Sequence, residues 1–101
     1  MININQLKEG YLYKIVKFYD DVGKEIKLST FILPIYDKIN LNVDKAEYSF
    51  KKNISILGKN ESFMFLEKGK SINKKFPIKI LKNNIVGWVF LFKKDEIILI
   101  S

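Results

Sequence analysis

Short stretches in which apolar and polar residues alternate, each closed by turn-forming residues, run the length of this chain. Residues 11–19 are rich in aromatic and β-branched side chains, which suit a pleated, half-buried surface. Asp20, Asp21, Val22 and Gly23 follow as a turn whose glycine can take the left-handed conformation. The returning segment 25–33 sets Ile26, Leu28, Thr30 and Ile32 on one side and Lys27 and Ser29 on the other, so it is the predicted partner strand of 11–19. Pro34 has no amide hydrogen and is expected to end that ladder or to mark a sheet edge. Ahead of this hairpin, Asn5 can cap one helical turn through Gln6, Leu7 and Lys8 before Gly10 stops it.

Segment 41–54 supports two readings. Ala46, Tyr48 and Phe50 alternate as in a strand, whereas Asp44 with Glu47 forms a capping box and Val43, Ala46, Phe50 and Ile54 fit one helical face. Beyond it Gly58, Lys59 and Asn60 turn the chain, and 62–67 is a short apolar strand ended by Lys68, Gly69 and Lys70. Residues 76–81 and 85–92 read as a hairpin around Asn83 and Asn84, because asparagine tolerates the positive φ of a tight turn. Lys94 and Asp95 then turn into a last strand, 97–100. Turns at intervals of about 8 to 12 residues predict an all-β class, a small barrel or sandwich of about six or seven short antiparallel strands with at most one or two helical turns. The chain is expected to form one domain over 1–101, with 1–53 an N-terminal elaboration carrying a hairpin and 54–101 a barrel-like half.

A two-residue turn at Asn83 and Asn84 dictates a register in which Lys82 faces Ile85, Lys79 faces Trp88 and Pro77 faces Phe90. One face then carries Phe76, Ile78, Ile80, Val89 and Leu91 and is predicted core. The other carries Lys79, Leu81, Val86, Trp88, Phe90 and Phe92, with a cation over the indole. Trp88 on that face either packs beneath another part of the chain or serves an interface. Both faces of 11–19 and of 63–66 are apolar too, so either a second layer of the barrel or a partner subunit covers them.

Residues 56–92 resemble a bacterial Src-homology-three-like domain. The residues that carry the likeness are the glycine turn at Gly58, the strand from Phe63 to Leu66, a charged loop, Phe76 opening the next strand, the Asn83-Asn84 turn and Gly87-Trp88-Val89. The resemblance covers about a third of the chain and implies a barrel of about five or six strands with an N-terminal elaboration. It further implies binding to peptides, cell-wall strands or protein partners; with no secretory signal at Met1–Asn5, cell-wall binding fits badly.

Composition narrows the chemistry. Ile, Lys, Asn, Phe and Tyr dominate, Ala occurs once, and Arg, His and Cys are absent, as expected from an AT-rich coding bias. The absence of Cys and His removes thiolate and imidazole chemistry and the usual zinc ligands. The absence of Arg disfavours base reading by a forked guanidinium. Acidic residues sit singly or in turns, and the glycines are scattered, so neither paired acid/base work nor a phosphate loop is indicated; no enzyme activity and no cofactor are expected.

The formal charge of +7 is discounted by that bias, but its distribution is not. Residues 68–94 hold Lys68, Lys70, Lys74, Lys75, Lys79, Lys82, Lys93 and Lys94 and no acid, whereas the remainder of the chain is nearly balanced. Coding bias enriches lysine but gives no reason for acids to vanish from one window. The predicted partner-binding residues are Lys68, Lys70, Lys74, Lys75, Lys79, Lys82, Trp88 and Phe90. The expected function is a small cytoplasmic protein-binding module, such as an inhibitor or adaptor of a phage or mobile element, that docks on an acidic partner surface. A sequence-nonspecific nucleic-acid binder using the same lysines, or a structural subunit of a larger assembly or homo-oligomer, is the alternative. No run of apolar residues is long enough for a membrane-spanning helix.

Overall fold

The computed structural model covers residues 1–101 and is all-β, with eight antiparallel strands in one strongly curled sheet. The strands are β1 (Leu12–Tyr19), β2 (Glu25–Ile26), β3 (Ile32–Asn42), β4 (Glu47–Gly58), β5 (Ser62–Lys68), β6 (Phe76–Lys82), β7 (Ile85–Leu91) and β8 (Glu96–Leu99). Their order is β2-β1-β5-β6-β7-β3-β4, with β8 also paired to β1. One 3-10 turn, Ile4–Gln6, precedes them, and no helix is long and apolar enough to cross a membrane. Asn3, not Asn5, caps that turn: its side chain accepts from the Asn5 amide while the Gln6 side chain accepts from the Asn3 amide. The reciprocal pair needs an amide side chain three residues beyond the cap, which Asn5 lacks.

A single core gathers Tyr13, Ile15, Phe18, Leu33 and Ile35 with Leu57, Phe63, Phe65, Ile78, Ile80, Val89, Leu91 and Ile97. Residues 1–53 supply Tyr13, Ile15, Phe18, Leu33 and Ile35 of this core. The β6–β7 hairpin has the register expected of its turn, with Asn83 and Asn84 at φ 49° and 65° and pairs Lys82–Ile85, Lys79–Trp88 and Pro77–Phe90. Ile78, Ile80, Val89 and Leu91 on its inner face are completely buried.

The first hairpin differs from expectation. β1 pairs with the returning chain only at Phe18–Ile26 and Tyr19–Glu25, after which residues 27–30 run exposed. The continuous strand begins at Ile32 and buries the opposite phase, Leu33 and Ile35, against β4 and β7. Pro34 does not end this strand. It pairs with Ile56 of β4, and β7 joins β3 in register only at Tyr36, so the missing amide hydrogen falls where β3 has one neighbour. Segment 47–58 is strand, and the Asp44–Glu47 capping box does not form, because Asn42–Glu47 is a cross-strand pair closing a hairpin with Ala46 at φ 49°. Cross-strand pairing along all of β3 outweighs the local helical signal.

Gly87 explains how β3 crosses β7. A Cβ at that position would lie 2.5 Å from Ile35 Cγ2 and 2.8 Å from the Tyr36 carbonyl oxygen, so only glycine permits the approach that brings Tyr36 beside Trp88.

Candidate interaction surface

Alternation along β7 turns Trp88 and Phe90 outward while Val89 and Leu91 fill the core. The long β3–β4 hairpin extends past the sheet and lies over this outer face. Phe90 becomes the centre of a ring cluster, its centroid 6.1 Å from Tyr36, 5.4 Å from Tyr48 and 6.1 Å from Phe50. Tyr36 and Phe50 pack closer still, at 4.2 Å with planes tilted by 31°. The arm is tied at its tip, where the Tyr48 hydroxyl donates to the Lys70 carbonyl and the Asn73 side-chain amide donates to the Ala46 carbonyl. Burial pushes the Tyr48 phenol above its ordinary value, which keeps it a donor.

Trp88 pairs with Tyr36 on one side and Lys79 on the other, and its ring edge lies beside Gly69, where an added Cβ would come within 3.3 Å of it. Trp88 and Phe90 are consequently half-buried, covered in part by the N-terminal half of the chain. Phe50 remains 47% exposed and opens the cluster to solvent. Two cations stand over the rings, Lys75 Nζ 5.5 Å from the Phe90 centroid and Lys79 Nζ 6.0 Å from that of Trp88. Glu67 reaches Lys79 at 3.9 Å, an exposed pair of little energetic weight.

The remaining lysines of the acid-free window go elsewhere. Lys82 is a correction to the expected binding set: it is only 9% exposed, and its ammonium donates to the Ile56 carbonyl at 2.6 Å and to Glu61 Oε1 at 2.9 Å. That hydrogen bond, with a second from the Gly58 amide, holds the Glu61 carboxyl below its ordinary value. Glu61 lies outside the window in sequence, so a count of charge along the chain misses the pairing. Lys68 donates to the Asn5 side chain at 2.9 Å, and Lys70 is an exposed loop residue. Lys74, Lys93 and Lys94 gather at the open end of the β6–β7 hairpin, beside a cleft with Asp20 and Asp21. The eight lysines therefore form several local groups instead of one continuous track.

Tyr36, Tyr48 and Phe50 belong to the surface as well, although the sequence pattern does not mark them as binding residues. The alternation of Tyr48 and Phe50 is legible, but nothing in the sequence signals that their strand folds over β7. No group of three or more acidic side chains is gathered to hold a metal ion, and no buried side-chain polar atom lacks a partner.

No protein-family model, no curated protein and no solved structure matches the chain.

Proposed function

We propose that this protein is a small cytoplasmic, non-enzymatic module that docks on an acidic surface of a protein partner through the outer face of β7. The observation that carries the reading is the ring cluster of Tyr36, Tyr48, Phe50, Trp88 and Phe90 with Lys75 and Lys79 standing over it. Aromatic anchors beside cations are the composition of interface hot spots. The packing of the rings favours a protein over a nucleic acid. They lie against one another, tied down by the arm, and Trp88 and Phe90 are half-buried, whereas binding of single strands needs ring faces free for bases. A likeness to Src-homology-three-like domains belongs to this proposal. It is supported by the β5–β6–β7 meander, in which Phe63, Phe65 and Val89 are core residues and Asn83-Asn84 forms the tight turn.

The test is capture of partners from the native host by the whole chain, with and without nuclease. Protein captured after nuclease, and lost when Lys75 and Lys79 are both changed to Glu, is the expected result. The same reversal at Lys17 and Lys59, exposed on other elements, should weaken capture far less. Equal losses from both variants, or capture that depends on nucleic acid, would overturn the reading.

A further inference from the structure

The hairpin register that pairs Phe76 with Leu91 brings Lys74 close to Lys93 and Lys94. Lys74, just before β6, and Lys93 and Lys94, just after β7, line a cleft of about 260 Å³ with half-buried Phe76 and Phe92 and the β1–β2 turn. No carboxylate in the chain pairs with any of these three lysines. Asp20 and Asp21 stand on the far wall, Asp20 Oδ1 accepting from the Val22 and Lys24 amides of its own turn, so the three lysines outnumber the two carboxylates by one charge. Lys94 lies across Gly23, so close that a Cβ there would meet its Nζ at 2.9 Å.

Lys74 is held at a conformational cost. Ile72 and Lys75 exchange both backbone hydrogen bonds, and the two residues between them, Asn73 and Lys74, have φ of 50° and 64°. Asparagine accepts this region and lysine does so at a penalty, where glycine would be the relaxed choice. Unpaired cations, an apolar floor and a strained lysine at the rim converge on one place.

The size of the cleft selects the occupant. It is smaller than the roughly 300 to 1,000 Å³ of sites for whole small molecules, and suits one side chain with its flanking group. Resting on the protein-partner reading above, we infer that this cleft anchors an extended peptide segment of the partner in which an apolar side chain is followed directly by acidic ones. The apolar side chain lies on Phe76 and Phe92, and the carboxylates reach Lys74, Lys93 and Lys94.

The probe is a synthetic blocked peptide, acetyl-Gly-Phe-Asp-Glu-Gly-amide, titrated into the labelled whole chain by two-dimensional amide NMR. Shifts confined to Val22, Gly23, Phe76 and residues 92–94 are expected. The Asn-Gln analogue and the analogue with Ala for Phe should each bind at least about tenfold more weakly. Lys93→Gln with Lys94→Gln should remove binding without altering the tryptophan emission of the folded chain. Lys74→Gly should weaken the peptide several-fold while raising the melting temperature, a combination that a purely structural role for Lys74 does not produce. Absence of shifts at millimolar peptide, shifts centred on Trp88 and Phe90, or equal binding of the neutral analogue would overturn the inference. Should the peptide fail while capture still depends on Lys75 and Lys79, the cleft alone is refuted; loss of capture dependence with the peptide still bound refutes only the β7 face.

Discussion

Lowering the pH from about 7 to about 4.5 should stabilise this protein, the reverse of ordinary acid denaturation. The group responsible is Asp95, 6% exposed in the turn between β7 and β8. Its Oδ1 accepts from the Tyr19 amide at 2.7 Å and its Oδ2 from the Phe92 amide at 2.9 Å, linking the end of β1 to the turn before β8. Burial pushes its carboxyl up to about 6 from an ordinary 3.8, and the two amide hydrogen bonds offset this only in part. A carboxyl with a raised folded pKa binds its proton more tightly when folded. Its stabilising contribution is thus complete at low pH and is lost as pH rises from about 4 through about 6. The gap between about 6 and 3.8 corresponds to roughly 3 kcal/mol in full, of which roughly 2 kcal/mol falls between pH 7 and 4.5, a large share of the ~5 to 15 kcal/mol that holds a small domain folded. Glu61 acts in the opposite sense at lower pH. The Lys82 hydrogen bond depresses its pKa, so its contribution is present above its ordinary 4.5 and is lost as pH falls through the folded value. Urea melts followed by Trp88 fluorescence at about pH 5, 6 and 7 should show unfolding free energy falling with pH. Asp95→Asn should flatten that slope whatever it does to the absolute stability, since the amide cannot ionise but leaves one backbone N–H facing a donor. A wild-type slope that is flat or rising across this window, or one that persists in the Asn variant, would refute the assignment.

Gly87→Ala should cost roughly 3 kcal/mol, the upper end for overpacking, because the Tyr36 carbonyl 2.8 Å from the new Cβ is backbone that cannot turn aside. A variant within about 0.5 kcal/mol of wild type in denaturant melts would mean that β3 does not cross β7 as closely as described. Lys82→Met keeps most of the side-chain volume but strips the Ile56 carbonyl and Glu61 of their donor, and should cost about 1 to 3 kcal/mol at neutral pH. In the same variant the Glu61 carboxyl should move up toward its ordinary value, the Gly58 amide still holding it down in part, measurable by carboxyl-carbon NMR.

Local chemistry makes several elements of this chain legible in its residues alone. The Asn83-Asn84 turn specifies the β6–β7 register because two adjacent residues that tolerate positive φ leave one way to pair the flanking strands. With that register comes the division into a core face of Ile78, Ile80, Val89 and Leu91 and an outer face of Lys79, Trp88 and Phe90. The all-β class follows equally from short alternating segments between turns. The first hairpin departs from its local pattern for the same reason that the second obeys it. Alternation from Ile26 to Ile32 is a local signal, but the buried phase switches at Leu33, where the strand meets β4 and β7 far along the chain. A change of one residue in phase exchanges the two faces, and nothing within the segment records it.

The proposed interaction surface lies further from view. Lys75, Lys79, Trp88 and Phe90 are visible in the sequence because they share one hairpin, whereas Tyr36, Tyr48 and Phe50 reach them only through the fold-over of the β3–β4 arm. Lys82 has the sequence context of a surface cation, yet Glu61 and the Ile56 carbonyl, both more than twenty residues away, take it into the interior. Turns and strand periods depend on neighbouring residues, so the sequence alone decides them. Which strands adjoin, and therefore which side chains meet, depends on burying one shared core, and that is settled only when the whole chain closes on itself.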